Sequence, residues 1–120
     1  MAIAGIYNIT MDQGAQWTLQ VVYDNNNGTP FDLTGYTARM QVRPKFGSDN
    51  AVLTISSPSS GIVITPLTGT LELTATTAQT GDIDGGFYVY DLEITSGGVV
   101  TRLMQGSVTV RDQVTLNAYC

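Results

Sequence analysis

The chain contains no histidine, and that absence closes off most catalytic arrangements at once. Histidine is the side chain whose charge changes near neutral pH, and it is the commonest metal ligand. Neither a Ser-His-Asp nor a Cys-His relay can be built, which disfavours a small hydrolase. The single thiol, Cys120, is the last residue of the sequence, where no second group is placed to orient it as a nucleophile. It has no intrachain partner, so the framework is not that of a secreted disulfide scaffold. An intermolecular disulfide through Cys120 and an incidental terminal thiol both stay open.

Acidic groups offer two spots for a cation. Asp24-Asn25-Asn26-Asn27-Gly28 has the look of a calcium loop, but the position that should supply a bidentate carboxylate is Gly35, so it reads as a turn. Asp82 and Asp84 lie between glycines and could share a hard cation with neighbouring carbonyls. A solvated loop is the plainer reading, and no cofactor is expected. Gly97-Gly98 sits inside a hairpin pattern rather than between a strand and a helix, so it is no phosphate cradle. Arg39 and Arg43 fall on the outward positions of an alternating run, beside Thr37 and Gln41. Arginine is enriched in interfaces, which makes the two residues candidates for partner contacts on a flat polar face. They serve equally well as balance for an acidic surface.

Composition narrows the partners. Net charge is −5 and the five basic residues are scattered. Nucleic-acid binding needs a basic stripe to neutralise phosphates, and the same argument disfavours an anionic membrane surface. No apolar run approaches the roughly 18 residues that span a bilayer. Met1-Ala2-Ile3-Ala4-Gly5 lacks the basic and sustained apolar segments of a signal peptide. Charged residues are 12% of the chain, against about 25% in an ordinary soluble domain. Thr, Ser, Asn, Gln and Gly solvate it instead, as suits either a protein packed against neighbours or a β-domain with a neutral polar face.

The elements that must carry these residues are strands. Gly86 to Met104 holds two β-branched and aromatic runs around Ser96-Gly97-Gly98, a hairpin signature. With Gly97-Gly98 as the loop, Leu92 falls opposite Leu103, Ile94 opposite Thr101 and Glu93 opposite Arg102. Leu103 and Val108 cannot then share a face, which predicts a bulge at Gly106. Trp17, Leu19, Val21 and Tyr23 alternate with polar residues, as do Tyr36, Ala38, Met40 and Val42, and Tyr7, Ile9 and Met11. Trp17 is expected in the core against Tyr88, Tyr90 and Leu92. Pro44 ends its strand. Lys45 to Asn50 reads as a mobile polar loop. Ala51 to Ser56, Gly61 to Thr65 and Leu71 to Ala75 read as strands, separated in part by Ser57-Pro58-Ser59-Ser60. Thr76 to Thr80 reads as one helical turn capped by Thr76. About seven to nine short strands with regular turns predict an all-β fold, an antiparallel immunoglobulin-like β-sandwich, with a small jelly roll or barrel as the alternative. One domain is expected over residues 1–111, with 112–120 as a short tail.

Tyr7-Asn8-Ile9-Thr10, Asp32-Leu33-Thr34-Gly35-Tyr36 with Thr37 to Arg43, and Gly86 to Ile94 with Val100 to Val110 together resemble the small immunoglobulin-like domains of bacteriophage tail and baseplate components. They are similar to the N-terminal domain of upper-baseplate (BppU-type) proteins. That resemblance implies a non-enzymatic virion structural protein, docked as an adaptor or connector among other virion proteins in several copies. It would be assembled in the host cytoplasm and resident in the tail, baseplate or neck. A capsid decoration (cement) protein is one alternative, and a carbohydrate-binding module is one from another class. Arg111-Asp112-Gln113-Val114-Thr115 departs from the Pro-Glu-Val-Thr-like end of those domains.

Overall fold

A computed structural model describes residues 2–3, 5–25, 27–45, 50–57 and 61–112. Cys120 and the tail beyond Asp112, most of the Lys45–Asn50 loop and the Pro58–Ser60 turn lie outside the described residues. In chain order the strands are β1 (Ala2–Ile3), β2 (Gly5–Ile6), β3 (Ile9–Asp12), β4 (Trp17–Val22), β5 (Thr37–Arg43), β6 (Leu53–Ser56), β7 (Ile62–Thr65) and β8 (Thr70–Ala75). A short helix α1 (Thr77–Gly81) follows, then β9 (Gly86–Ser96) and β10 (Val99–Arg111).

Period-two alternation decides which face each strand buries. Along β5, Ala38, Met40 and Val42 are buried, while Thr37 and Arg39 are exposed. Leu71, Leu73 and Ala75 do the same on β8, and Ile9 and Met11 on β3. The strands assemble into one sheet ordered β1-β4-β8-β7 and a second ordered β2-β10-β9-β5-β6, with β3 also on β10. The inward faces of both contribute to a single apolar core. This is the all-β sandwich read from the sequence. It is not antiparallel throughout as expected: the N-terminal segments divide between the two sheets and pair in parallel, β1 with β4 and β2 and β3 with β10. The described strands number ten, above the seven to nine expected, because the N-terminal stretch is broken into three short segments.

The hairpin forms with its loop at Gly97-Gly98, where φ is 58° and 80°. Both residues occupy the left-handed region that a two-residue turn of this hand requires and that glycine enters without strain. Glu93 pairs with Arg102 and Ile94 with Thr101, as expected. Leu92, however, pairs with Met104 rather than Leu103, because the register shifts between Arg102 and Met104. The bulge therefore sits at Leu103 and not at Gly106. Leu103 and Met104 are both buried, so the extra residue goes into the core and Met104, Val108 and Val110 share its face.

Gly106 has a different task. A Cβ there would lie 2.3 Å from the carbonyl oxygen of Tyr7, so only glycine lets the N-terminal strand pass. Its cross-strand partner is Tyr90, which is 2% exposed and donates its hydroxyl to that same carbonyl at 2.6 Å. Burial, with Tyr7 as a lesser cause, raises the Tyr90 pKa, so the phenol stays a protonated donor. On either side, Tyr7 N–H donates to the Gln105 carbonyl at 3.0 Å and Ser107 N–H donates to Asn8 Oδ1 at 3.2 Å. Tyr7 itself is exposed rather than inward, since it lies in the two-residue break between β2 and β3 along β10. Trp17, at the end of β4, is half-buried at the rim of the core instead of at its centre.

The helical turn is real and capped as its sequence suggests. Thr76 Oγ1 accepts from Gln79 N–H at 3.2 Å, and Gln79 Oε1 accepts from Thr76 N–H at 2.9 Å, a reciprocal capping box. The buried Thr80 hydroxyl donates to the Ala15 carbonyl at 2.8 Å and ties the turn to the approach of β4. Where β3 and β10 end together, Arg111 reaches Asp12 through Nε at 2.5 Å and Nη2 at 3.0 Å. That bidentate pairing lowers the Asp12 pKa, the hydrogen bond being the main cause.

Removing the phenol with Tyr90→Phe should cost about 1–2 kcal/mol in chemical denaturation, the magnitude of one lost buried hydrogen bond. Gly106→Ala should cost more, because its Cβ meets backbone rather than a movable side chain. Asp12→Asn should lower the melting temperature at neutral pH. Because the folded pKa lies below the ordinary aspartate value, the contribution is present above that value and lost as pH falls through the folded one. The gap between variant and parent should therefore close in strongly acidic buffer; an unchanged gap there refutes the assignment.

Candidate functional site

Alternation places Thr37, Arg39, Gln41 and Arg43 of β5 and Asp91, Glu93 and Thr95 of β9 on the side away from the core, and the sheet order then sets them beside β10. Three rows result. Arg39 pairs with Glu93, which pairs with Arg102; Gln41 pairs with Asp91, which pairs with Gln105; Arg43 pairs with Val89, which pairs with Ser107. Opposite charges thus stand across strands, the arrangement that stabilises a sheet face. The ion pairs are loose: Arg39 Nη2 is 4.0 Å from Glu93 Oε1, and Arg102 Nε is 3.5 Å from Asp91 Oδ2. Arg43 Nη2 donates to Gln41 Oε1 at 2.8 Å.

Between these side chains lies an open depression of about 320 Å³ lined by Arg39, Gln41, Arg43, Asp91, Glu93 and Arg102. A second, of about 390 Å³, shares Arg39 and Glu93 and continues over Ser56, Thr95 and Val100. Ile6, exposed on β2, is the cross-strand neighbour of Gln105 at the far side of the face. Three of the chain's five cations therefore meet two carboxylates on one surface of a molecule with net charge −5. The outward side of the other sheet is unlike it. Thr18, Gln20, Val63, Thr65, Thr70 and Thr74 surround Glu72, its one charged residue among them. A surface of this kind can offer guanidinium groups to carboxylates or carbonyls, with polar side chains around them.

Arg39 and Arg43, singled out from the sequence, are brought together here. Arg102, Asp91 and Glu93 complete the face, and the signal for them was the opposition of Glu93 to Arg102; what the sequence lacked was the adjacency of β5 to β9. Asp82 and Asp84 converge on nothing comparable. Asp82 caps the C-terminus of α1, and the Asp84 carbonyl accepts from the Tyr88 hydroxyl at 2.6 Å. Among the described residues no cluster of three or more acidic or cysteine side chains could hold a metal ion. The described residues of the Asp24–Gly28 stretch bond as a turn does: Asn27 Oδ1 accepts from both Thr29 N–H and Thr29 Oγ1, and Asn25 Nδ2 donates to the Pro30 carbonyl. Among the described residues no helix is long and apolar enough to cross a membrane.

No protein-family model matches the chain. No curated protein matches it in sequence. Among solved structures, the fold is similar to that of the N-terminal domain of phage TP901-1 ORF48, with a TM-score of 0.52. The superposition covers 92% of this chain and 97% of that domain at 12% identity. At that identity the likeness is one of fold.

If the arginine face exists for contacts rather than for stability, Arg39→Ala and Arg102→Ala should each change unfolding free energy by less than about 1 kcal/mol, as loose exposed ion pairs do. A larger loss in urea titration would make the face a structural brace.

Proposed function

We propose that the chain is a non-enzymatic structural component of a bacteriophage virion, which docks as a rigid sandwich among other virion proteins in a tail or baseplate. The observation that carries this reading is the fold likeness to a phage protein domain over nearly the whole of both chains. Low charge and a neutral polar outer sheet suit a subunit largely covered by neighbours. In this reading the chain is an adaptor present in several copies, and the arginine face supplies its directional contacts. In this reading residues 1–111 are the docking domain and 112–120 a short tail.

A carbohydrate-binding role would want a platform of exposed aromatics, and Trp17 and Tyr88 are half-buried while Tyr90 is buried. Phe87 stands exposed without them.

The test is mass spectrometry of density-purified particles, with tails and capsids separated, from the phage or prophage whose genome carries the chain. Recovery in the tail fraction is expected, with Arg39→Glu plus Arg102→Glu reducing it about tenfold or more, as lost interface hot spots do. Recovery on tailless capsids would make the chain a decoration protein, and confinement to the unbound lysate would overturn the virion role altogether.

A further inference from the structure

The hairpin of β9 and β10 is longer than the sandwich it belongs to. Val99, Val100, Thr101 and Arg102 are all exposed, on both faces of the sheet, although alternate positions further along β10 are buried. Val99 is 68% exposed and Val100 56%. On its inner side this segment pairs with β9. On its outer side β2 and β3 cover β10 only from Met104 to Arg111. No described strand lies along Val99 to Leu103, because β1 has turned away to β4 in the other sheet.

Ladder geometry says which groups face outward there. Ser96 and Val99 close the two-residue loop as a hydrogen-bonded pair, and in antiparallel ladders such pairs alternate with outward-facing ones. The N–H and C=O of Val100 and Arg102 therefore point away from β9. Proteins usually blunt an open edge with charge, bulges or shortness. Here the bulge at Leu103 and the charge of Arg102 lie at the inner end, and the tip carries two exposed β-branched apolar residues.

We infer that the open edge of β10 at Val99–Arg102 is a strand-addition site for an extended segment of a different polypeptide. That segment carries small apolar residues beside Val99 and Val100 and a carboxylate beside Arg102. The charge follows from the face beside it: Arg39, Arg43 and Arg102 stand among two carboxylates, Asp91 and Glu93, so one cation is in excess there. A second copy fits worse, since each copy would bring a net charge of −5 to the contact. A segment already tethered in an assembly needs only register and a few main-chain hydrogen bonds from the edge. The inference rests on the docking role proposed above and names the element that does the docking.

The experiment uses the whole chain, labelled with nitrogen-15, and the capped peptide Thr-Glu-Thr-Val-Val-Thr as probe. Amide exchange at Val100 and Arg102 should slow about tenfold or more at saturating peptide, while the core amides stay unchanged. Val100→Pro removes the outward donor without touching the ladder to β9 and should abolish the protection at Arg102. Val100→Thr should keep it, and replacing the peptide's glutamate by lysine should weaken binding. Circular dichroism confirms that the proline variant is folded; should it fail, Arg102→Glu, expected to weaken binding of the glutamate peptide, serves in its place. Binding unaffected by these changes, no binding at millimolar peptide, or protection confined to other strands overturns the site. Concentration-dependent protection without peptide overturns the choice of partner in favour of a second copy. Incorporation into particles is read separately, so a chain that enters virions while ignoring the peptide refutes the edge and leaves the virion role standing.

Discussion

One hydrogen bond organises this fold more than any other: the Tyr90 hydroxyl on the Tyr7 carbonyl, made across the place where Gly106 has no side chain. The N-terminal stretch runs along β10 as two short strands, β2 and β3, and Tyr7 and Asn8 interrupt the ladder between them. A part-buried carbonyl left there without a partner would cost free energy comparable to a lost hydrogen bond. The solution needs three elements at once. β10 supplies a glycine so the backbone can approach, β9 supplies the tyrosine hydroxyl, and the break between β2 and β3 supplies the acceptor. Each would be a defect alone: a glycine in a strand, a buried phenol, a bent edge.

That interdependence explains what could be read from the residues and what could not. Alternation and turn chemistry act locally, so the faces of β3, β5 and β8, the stop at Pro44, the cap at Thr76 and the Gly97-Gly98 loop were all legible. The bulge was legible as a necessity, since Leu103 and Val108 cannot share a face without an extra residue. Its position was not, because two mechanisms compete for it. Glycine is the usual marker of a bulge, but here it marks a close approach by a segment nearly a hundred residues earlier in the sequence. The extra residue went instead to a leucine that the core could absorb. Trp17 was misplaced for a related reason. Alternation tells the side of a strand but not how far along it the opposing sheet reaches.

The candidate face shows the same division. Arg39 and Arg43 could be assigned to one outward surface from β5 alone, and Glu93 to the surface of Arg102 from the hairpin alone. Joining the two into a grid needs the pairing of β5 with β9, which is a property of the fold. The result gives the molecule two unlike outer surfaces. One is a lattice of guanidinium and carboxylate groups held at 3.5–4.0 Å, loose enough for a competing carboxylate to displace them. The other is a field of threonine and glutamine with a single acid. Both suit contact with protein more than with solvent ions, since neither concentrates enough charge of one sign to steer a small charged ligand.

The bulge at Leu103 ties these properties together. Below it, the outward-pointing groups of β10 are consumed: the Gln105 carbonyl accepts from Tyr7, Ser107 N–H is held by Asn8, and the Arg111 carbonyl accepts from Gln13. Above it, the outward parity moves to Val100 and Arg102, and the N-terminal strand is no longer there to meet them. One inserted residue thus buries an extra leucine and brings Met104, Val108 and Val110 to the core. It also separates the half of the strand that the fold consumes from the half it leaves open. A strand needed only for the core could have turned at Leu103; β10 begins four residues earlier, with β-branched side chains that gain nothing from exposure in water. Those residues are best understood as surface held for another chain, and the arginine face lies directly beside them.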